Sequence, residues 1–439
     1  MSQTHNKTET KSSFQISFFT IIIIILLALL GMGCTDDCQT TQAYIDYEPV
    51  YTTTQEIRES FKHEDSREIN NPGRIYYKDK FLYINESGKG IHVIDNTNPE
   101  NPVKMGFVNI PGNFDIAAKG NYMYADSFID MVVMDISDPS NVKEVRRLPG
   151  VFSHFRAFDG RVDSQNGIIT EYIETVKEYT YDTDCDGNVL YYDYALTNDT
   201  VFDSFSRAES TINLSTSPSI GIGGSMARFT IYDDYIYTIN ESQMELFDIS
   251  ELESPEKVSV IELGWGIETI FPYGDKLFIG ANNGMHIMDN KIPEAPRRLS
   301  TYEHVQSCDP VVVRDNYAFV TLRSGNTCAG FTNQLDIVDI SDLSNPSLFK
   351  SYPMDNPHGL GVDGNCLFIT EGDFGLKILD AQDVGNIQQK ANFSNIHAID
   401  VIPLDGLLML IGNDGLYQYD YNCEETTIDL LSTITITPL

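Results

Sequence analysis

A single tryptophan stands among the 439 residues, and cations are scarce: 29 Lys and Arg face 64 Asp and Glu, a formal net charge of −35. That leaves too little positive charge to neutralise a phosphate backbone, which excludes nucleic acid as a partner. It equally excludes adhesion to an anionic membrane through a basic patch. Seven cysteines occur with no C-x-x-C pair, which argues against a thiolate zinc centre and a thioredoxin-like motif. G-x-S-x-G, H-E-x-x-H and P-loop sequences are missing, as is a G-x-G-x-x-G in the right context. No helical period persists beyond two turns, so helical solenoids are excluded. The acid excess fits an extracytoplasmic protein kept soluble by repulsion, or one that binds cations.

Long apolar runs are also few. The main one, Phe18–Leu30, follows Lys7 and Lys11 and precedes Gly31-Met32-Gly33-Cys34. It is too short for a comfortable membrane span and reads as a secretory signal over residues 1–33. The small residue before Cys34 resembles a bacterial lipobox, although Gly31 stands where Leu is usual. The resemblance implies a diacylglycerol on the Cys34 sulfur, hence attachment to a membrane through a lipid anchor. Asp36 and Asp37 resemble the acidic tag that routes some lipoproteins to the outer face of the outer membrane. Lipidation would leave six cysteines, an even number in an oxidising compartment.

What recurs is a strand ending in Asp. GIHVID, MVVMDIS, MELFDIS, MHIMDN, LDIVDIS, LKILDA and LYQYD place it at Asp95, Asp135, Asp248, Asp289, Asp339, Asp380 and Asp420, with spacings of 40, 113, 41, 50, 41 and 40. A period near 40 signals a repeat architecture. Before each Asp come a Gly/Asp/Asn turn and a β-branched or aromatic strand, as in KDKFLYIN and YDDYIYTIN. After it comes a polar stretch, often with Pro, then a less regular strand. Four short antiparallel strands per unit make a propeller blade. One blade cannot cover both its apolar faces; neighbours cover them, and closing the ring removes the exposed ends. The Asp is expected to cap the following turn by accepting backbone N–H bonds.

These residues resemble the LVIVD repeat of bacterial and archaeal cell-surface proteins. LDIVDIS at 335–341 is the nearest copy and MVVMDISDPSNV at 131–142 the next. The resemblance implies a β-propeller and names no catalytic motif. WD-type propellers are excluded, since neither GH nor WD recurs.

The fold class expected is therefore all-β: a propeller over residues 73–439 with seven four-stranded blades, eight if residues 153–224 form a degenerate blade instead of a β-rich insertion between blades two and three. Residues 34–72 are expected to link the anchor to the ring and to complete the outermost strand of the last blade.

Several constellations carry chemistry. Asp182, Asp184, Asp186, Asn188 and Asp193 follow the D-x-D-x-D-G pattern of a calcium loop, with Gly187 at the sharp turn. Asp stands at the twelfth position where Glu is usual, and strands flank the loop where helices are usual; the bland alternative is an acidic turn. Cys185 within it can pair with Cys38. Cys308 and Cys328 fall on one face of one blade, where a disulfide is plausible. Cys366 and Cys423 lie near connections of adjacent blades and are the second possible pair. At the start of the inner strands stand Arg74, Asp115, Arg228, Glu268, Asp309, His358 and His397, with His154 beside them. Either this rim holds an anion, a metal or a polar ligand, or its members pair with one another around the channel. His92 and His286 are packing residues by position, and GIGG at 221–224 reads as a flexible loop entering blade three.

Two functions follow. One is a lipid-anchored outer-membrane propeller, facing the cell exterior if the Asp36-Asp37 tag acts, that serves as a non-catalytic module binding a protein or glycan, with structural calcium. The other is a hydrolase or lyase using the rim His, Glu, Asp and Arg residues. Fold alone does not choose between them.

Overall fold

Tight turns set the frame. In the computed structural model the first hairpin of every repeat turns on a left-handed residue: Asp79, Gly120, Asp233, Gly274, Asp315, Gly364 and Asp405, with φ between 43° and 58°. Gly reaches this region freely and Asp tolerates it. The structure describes residues 38–152, 162–163, 166–183, 220, 222–223, 225, 227–304, 310–324, 332–425 and 427–436.

The chain divides into two compact units: residues 1–48 with 172–200, and residues 49–171 with 201–439. The larger unit holds seven antiparallel blades, at 72–109, 116–148, 229–262, 267–303, 311–353, 360–393 and 400–435. Inner strands of successive blades touch one another from blade one to blade seven. Among the described residues no sheet closes on itself; successive sheets pack on one another. Between blades four and five, Phe271, Phe278, Val312 and Phe319 are fully buried together. Each such side chain contributes about 1.5–3 kcal/mol. Because both faces of a blade are covered, the first three strands are buried nearly throughout. The fourth, as in Glu256–Glu262 and Ser347–Pro353, is mostly exposed.

The recurring Asp behaves as a cap. Asp95, Asp135, Asp248, Asp339 and Asp380 each accept, through Oδ1, the backbone N–H two residues on, at 2.8–3.0 Å. Just before the Asp, every blade has a register shift between its third and fourth strands. A bulge there increases the local twist and fans the outer strand away from the axis.

The ring seam departs from expectation. The outermost strand of blade seven is Thr427–Thr435, from the C-terminal end of the chain. The segment expected to supply it instead runs along blade one, where Lys62–Glu64 adds outside Val103–Asn109. Two features redirect it. The helix Thr54–Glu59 opens on a capping box between Thr53 and Glu56 and carries Arg58 to a bidentate pair with Asp130, at 2.7 and 3.0 Å. Arg67 stacks 3.4 Å above the Phe107 ring and lies 3.6 Å from buried Glu86. Ile69 then bridges to Ile436, and Ile75, Leu82, Ile402 and Met409 fill the space between blades one and seven. Asn96 and Gln418 exchange two hydrogen bonds across the same seam, at 2.8 and 2.7 Å.

The described residues of 153–224 form no eighth blade: Gly167–Thr183 lies with Cys38–Thr52 and Val162–Asp163 in a separate three-stranded sheet. The described part of the smaller unit, 38–48 with 172–183, belongs to a ribbon of the long strands Cys38–Thr52 and Gly167–Thr183. Tyr44 packs on Tyr179, ring centroids 5.1 Å apart, and Lys177 pairs with Asp46. Within the larger unit, Ile222–Gly223 of GIGG is strand: it pairs with the inner edge of blade one, opposite Tyr77 and Tyr76. The unpaired inner edge supplies the hydrogen bonds that make this short stretch extended.

Candidate functional site at the channel rim

Loops from fourth to first strands and from second to third strands share one rim of a four-stranded blade. Of the residues expected there, three converge. Asp115, buried just before the inner strand of blade two, accepts from the Arg74 guanidinium of blade one and from the Arg228 and Phe229 backbone N–H groups of blade three, at 2.5 and 3.1 Å; its other oxygen takes the Ile116 N–H at 2.8 Å. One carboxylate thus ties three blades. Burial pushes its pKa up, against the pull of Arg74 and the N–H donors. Beside it Asp126 accepts from Asn113, Phe114 and Asp115 through one oxygen, at 2.7–2.9 Å. Burial and the Asp115 charge push Asp126 up to about 7.

His358 and His397, at the start of blades six and seven, form a second corner. Arg323 Nη1 lies 2.8 Å from His358 Nδ1 and 3.0 Å from Nε2, and Asn356 lies 3.1 Å from Nε2. Burial, Arg323 and then His397 depress the His358 pKa to about 3. It is therefore a neutral imidazole at neutral pH and a poor general acid there. His397 Nδ1 accepts the Asn413 N–H at 3.2 Å, while Nε2 stands 3.5 Å from Asp373. Glu268 acts on this corner through its charge on Arg323, whose pKa burial lowers. Arg74 and Arg228 are thus not brought to the histidines; their shared partner is Asp115.

Several expected residues lie outside the described ones: Asp309, His154, Cys34, the Cys308–Cys328 pair, Cys185, and Asp184, Asp186, Asn188 and Asp193 of the acidic loop. Asp182 falls in the strand Gly167–Thr183. Among the described residues no group of three His, Cys, Asp or Glu is placed to hold a metal ion. Of the three cysteine pairs weighed, Cys366–Cys423 is bonded, Cα–Cα 5.9 Å, and links blades six and seven. His92 and His286 pack as expected. His92 also pairs with Glu86 at 2.6 Å, and burial lowers His286 to about 4.

Sequence reasoning missed Arg323, Asn356, Asn413 and Asp126. Counting from the first turn of each blade would have found some: Glu241, Asn282, Arg323 and Asn413 stand at one equivalent position just past the second strand. The same count finds a buried carboxylate one place earlier, at Glu86 and Glu371. Glu371 meets Lys377 at 2.7 Å, and burial raises its pKa.

The LVIVD repeat family matches residues 73–110, 113–148 and 307–353, which are blades one, two and five. No curated protein matches the chain. Among solved structures, the chain is similar to a dihydro-heme d1 dehydrogenase, NirN, in complex with DHE, at 12% identity and TM-score 0.47 over 85% of this chain and 68% of that one. It is also similar to a functionally unknown protein from Desulfotomaculum acetoxidans, at 10% identity and TM-score 0.45 over 83% and 99%, and to Saccharomyces cerevisiae Sqt1, at 10% and 0.44 over 89% and 100%. The four blades without a match share the same turn, strand order and bulge. The chain thus carries LVIVD repeats at three places, in blades one, two and five.

Proposed function

We propose that the protein is a lipid-anchored propeller of the outer membrane that acts as a non-catalytic binding module. The observation that carries this reading is the fate of the rim charges. Arg74 and Asp115 satisfy each other, as do Lys377 and Glu371, and His358 is held neutral beside Arg323. Groups tied into contacts within and between blades position loops; they are poorly placed to move protons for a substrate. The apolar run Phe18–Leu30 before Cys34 supports export and lipidation, and the acidic loop from Asp182 to Asp193 is proposed to take calcium as a structural ion.

The test has two arms. Cys34→Ala in the native host should release the protein from the membrane fraction, and the wild-type chain should be captured by, and capture, a fixed set of envelope components. Soluble wild-type protein, or turnover of ester, peptide or glycoside substrates that is lost in His358→Asn, would overturn the reading. Millimolar calcium should raise the melting temperature, and Asp184→Asn with Asp186→Asn should abolish the rise.

A further inference from the structure

Trp265, the only tryptophan of the chain, is 73% exposed. It sits in the loop that carries the chain from the outer strand of blade three to the inner strand of blade four. This loop is not loose. The Leu263 N–H donates to Ser242 O at 2.8 Å, the Gly266 and Ile267 N–H groups to Glu241 O at 2.8 and 3.0 Å, and Asn282 N–H to Gly266 O at 2.8 Å. Leu263 itself is buried. Trp265 stands between Gly264 and Gly266, with φ of +98° and +88°, a backbone form that holds the indole out from the surface. Burying an indole is among the larger single gains open to a fold. Here a pinned backbone spends two left-handed residues to keep it in water.

Its surroundings decide what it suits. The loop lies between two second-to-third-strand connections, those of Glu241 and Asn282, equivalent positions of blades three and four. The Asn282 carboxamide lies flat on Gly266, where a Cβ would stand 2.3 Å from its Oδ1. Among the described residues that carboxamide makes no hydrogen bond. Gln243 donates to Glu262 at 2.5 Å on the other side. The connections that pin the loop thus carry amides and carboxylates, at Glu241, Gln243, Glu262 and Asn282. A protein hot spot of this kind sits in a well-packed pocket from which the surrounding contacts exclude water, and Trp265 stands out on a loop instead. A cation cage needs several aromatic faces, and this loop supplies one. One aromatic face among amide and carboxylate groups fits a pyranose ring: its C–H face stacks on the indole and its hydroxyls take the polar atoms. Glu241 and Glu262 disfavour an anionic sugar.

We propose that the Trp265 loop, with Asn282, Glu241 and Gln243, binds a neutral saccharide chain. The proposal rests on the binding-module reading above and names a ligand class for it.

The lone tryptophan is its own reporter. The full chain, purified in a polyoxyethylene detergent that carries no sugar headgroup, is titrated with maltohexaose, cellohexaose, xylohexaose and mannohexaose while indole emission is followed. At least one is expected to shift the emission to the blue with saturation. By calorimetry, Trp265→Ala should weaken that sugar at least tenfold, Trp265→Phe less, and Asn282→Ala severalfold, with unchanged melting temperatures. No saturable shift with any of the four at 10 mM overturns the proposal, as does stronger binding of hexagalacturonate or of choline. Envelope capture by Trp265→Ala separates the two readings. If capture persists while no sugar binds, the module stands and this site falls. If even wild-type protein captures nothing and no sugar binds, both fall.

Discussion

Replacing Asp115 by alanine removes one side chain from three blades at once. Arg74 would remain buried without its countercharge, and breaking a buried pair from one side costs about 3–5 kcal/mol. The Arg228 and Phe229 N–H groups would lose their acceptor as well, at about 1–3 kcal/mol for each that water cannot reach. These terms overlap, so a loss of about 5 kcal/mol is expected, a large part of the roughly 5–15 kcal/mol that holds a domain folded. Equilibrium urea unfolding followed by far-ultraviolet circular dichroism reads it as a fall in midpoint at constant slope. Arg74→Met should cost less, because Asp115 keeps three backbone donors. In the double variant the two losses should not add, with a coupling of about 2 kcal/mol. Asp115→Ala costing under about 1 kcal/mol, or additivity within about 0.5 kcal/mol, would refute the claim that this carboxylate ties the blades.

Three other predictions follow from the same structure. Gly90 has φ +144°, and a Cβ there would stand 2.1 Å from Val108 O; Gly264 has φ +98° with open space around it. Gly90→Ala should therefore cost well over 2 kcal/mol in urea and Gly264→Ala about 1–2 kcal/mol; equal costs would show that backbone angle, not the approach of the outer strand, sets the penalty. His358 and His286 are depressed to about 3 and about 4, below the roughly 6.5 of an unfolded histidine. Their contribution is whole above about pH 6.5 and is lost as pH falls toward those values, so the urea midpoint should drop between pH 7 and 4, and less so in His358→Asn. Cys366 and Cys423 close a separation of 57 residues. In the chain-entropy account the bond is worth about 4 kcal/mol, so dithiothreitol should lower the melting temperature of the wild type by clearly more than that of Cys366→Ser/Cys423→Ser.

The seven units were legible because their determinants are local. A hairpin turn needs a residue that accepts positive φ, and Asp or Gly stands at that place in every blade. The Asp ending the third strand bonds an N–H two residues on, a contact its neighbours alone define. Seven such units with apolar strands have few ways to bury both faces except in a ring. The candidate rim was legible as a set of positions, since each residue follows from counting along its own repeat.

Which of those residues meet was not legible. Arg74, Asp115 and Arg228 come from three blades, and nothing in the repeat says that a carboxylate at the second start should face a cation at the first. The cysteine pairing had the same obstacle, because proximity across blades depends on the angle between sheets. The closing strand was misplaced because Thr427–Thr435 and the segment before Arg74 compete for neighbouring edges, and the contest is settled by distant partners: Asp130 for Arg58, Phe107 and Glu86 for Arg67, Ile436 for Ile69. Sequence by itself determined the repeat, its turns and its caps, all products of hydrogen bonds and dihedral limits within a few residues, and left the blade number at seven or eight. Tertiary structure alone decided the seam, the disulfide, the Asp115 tie and the presentation of Trp265, because each joins groups from different blades and so depends on how sheets stack.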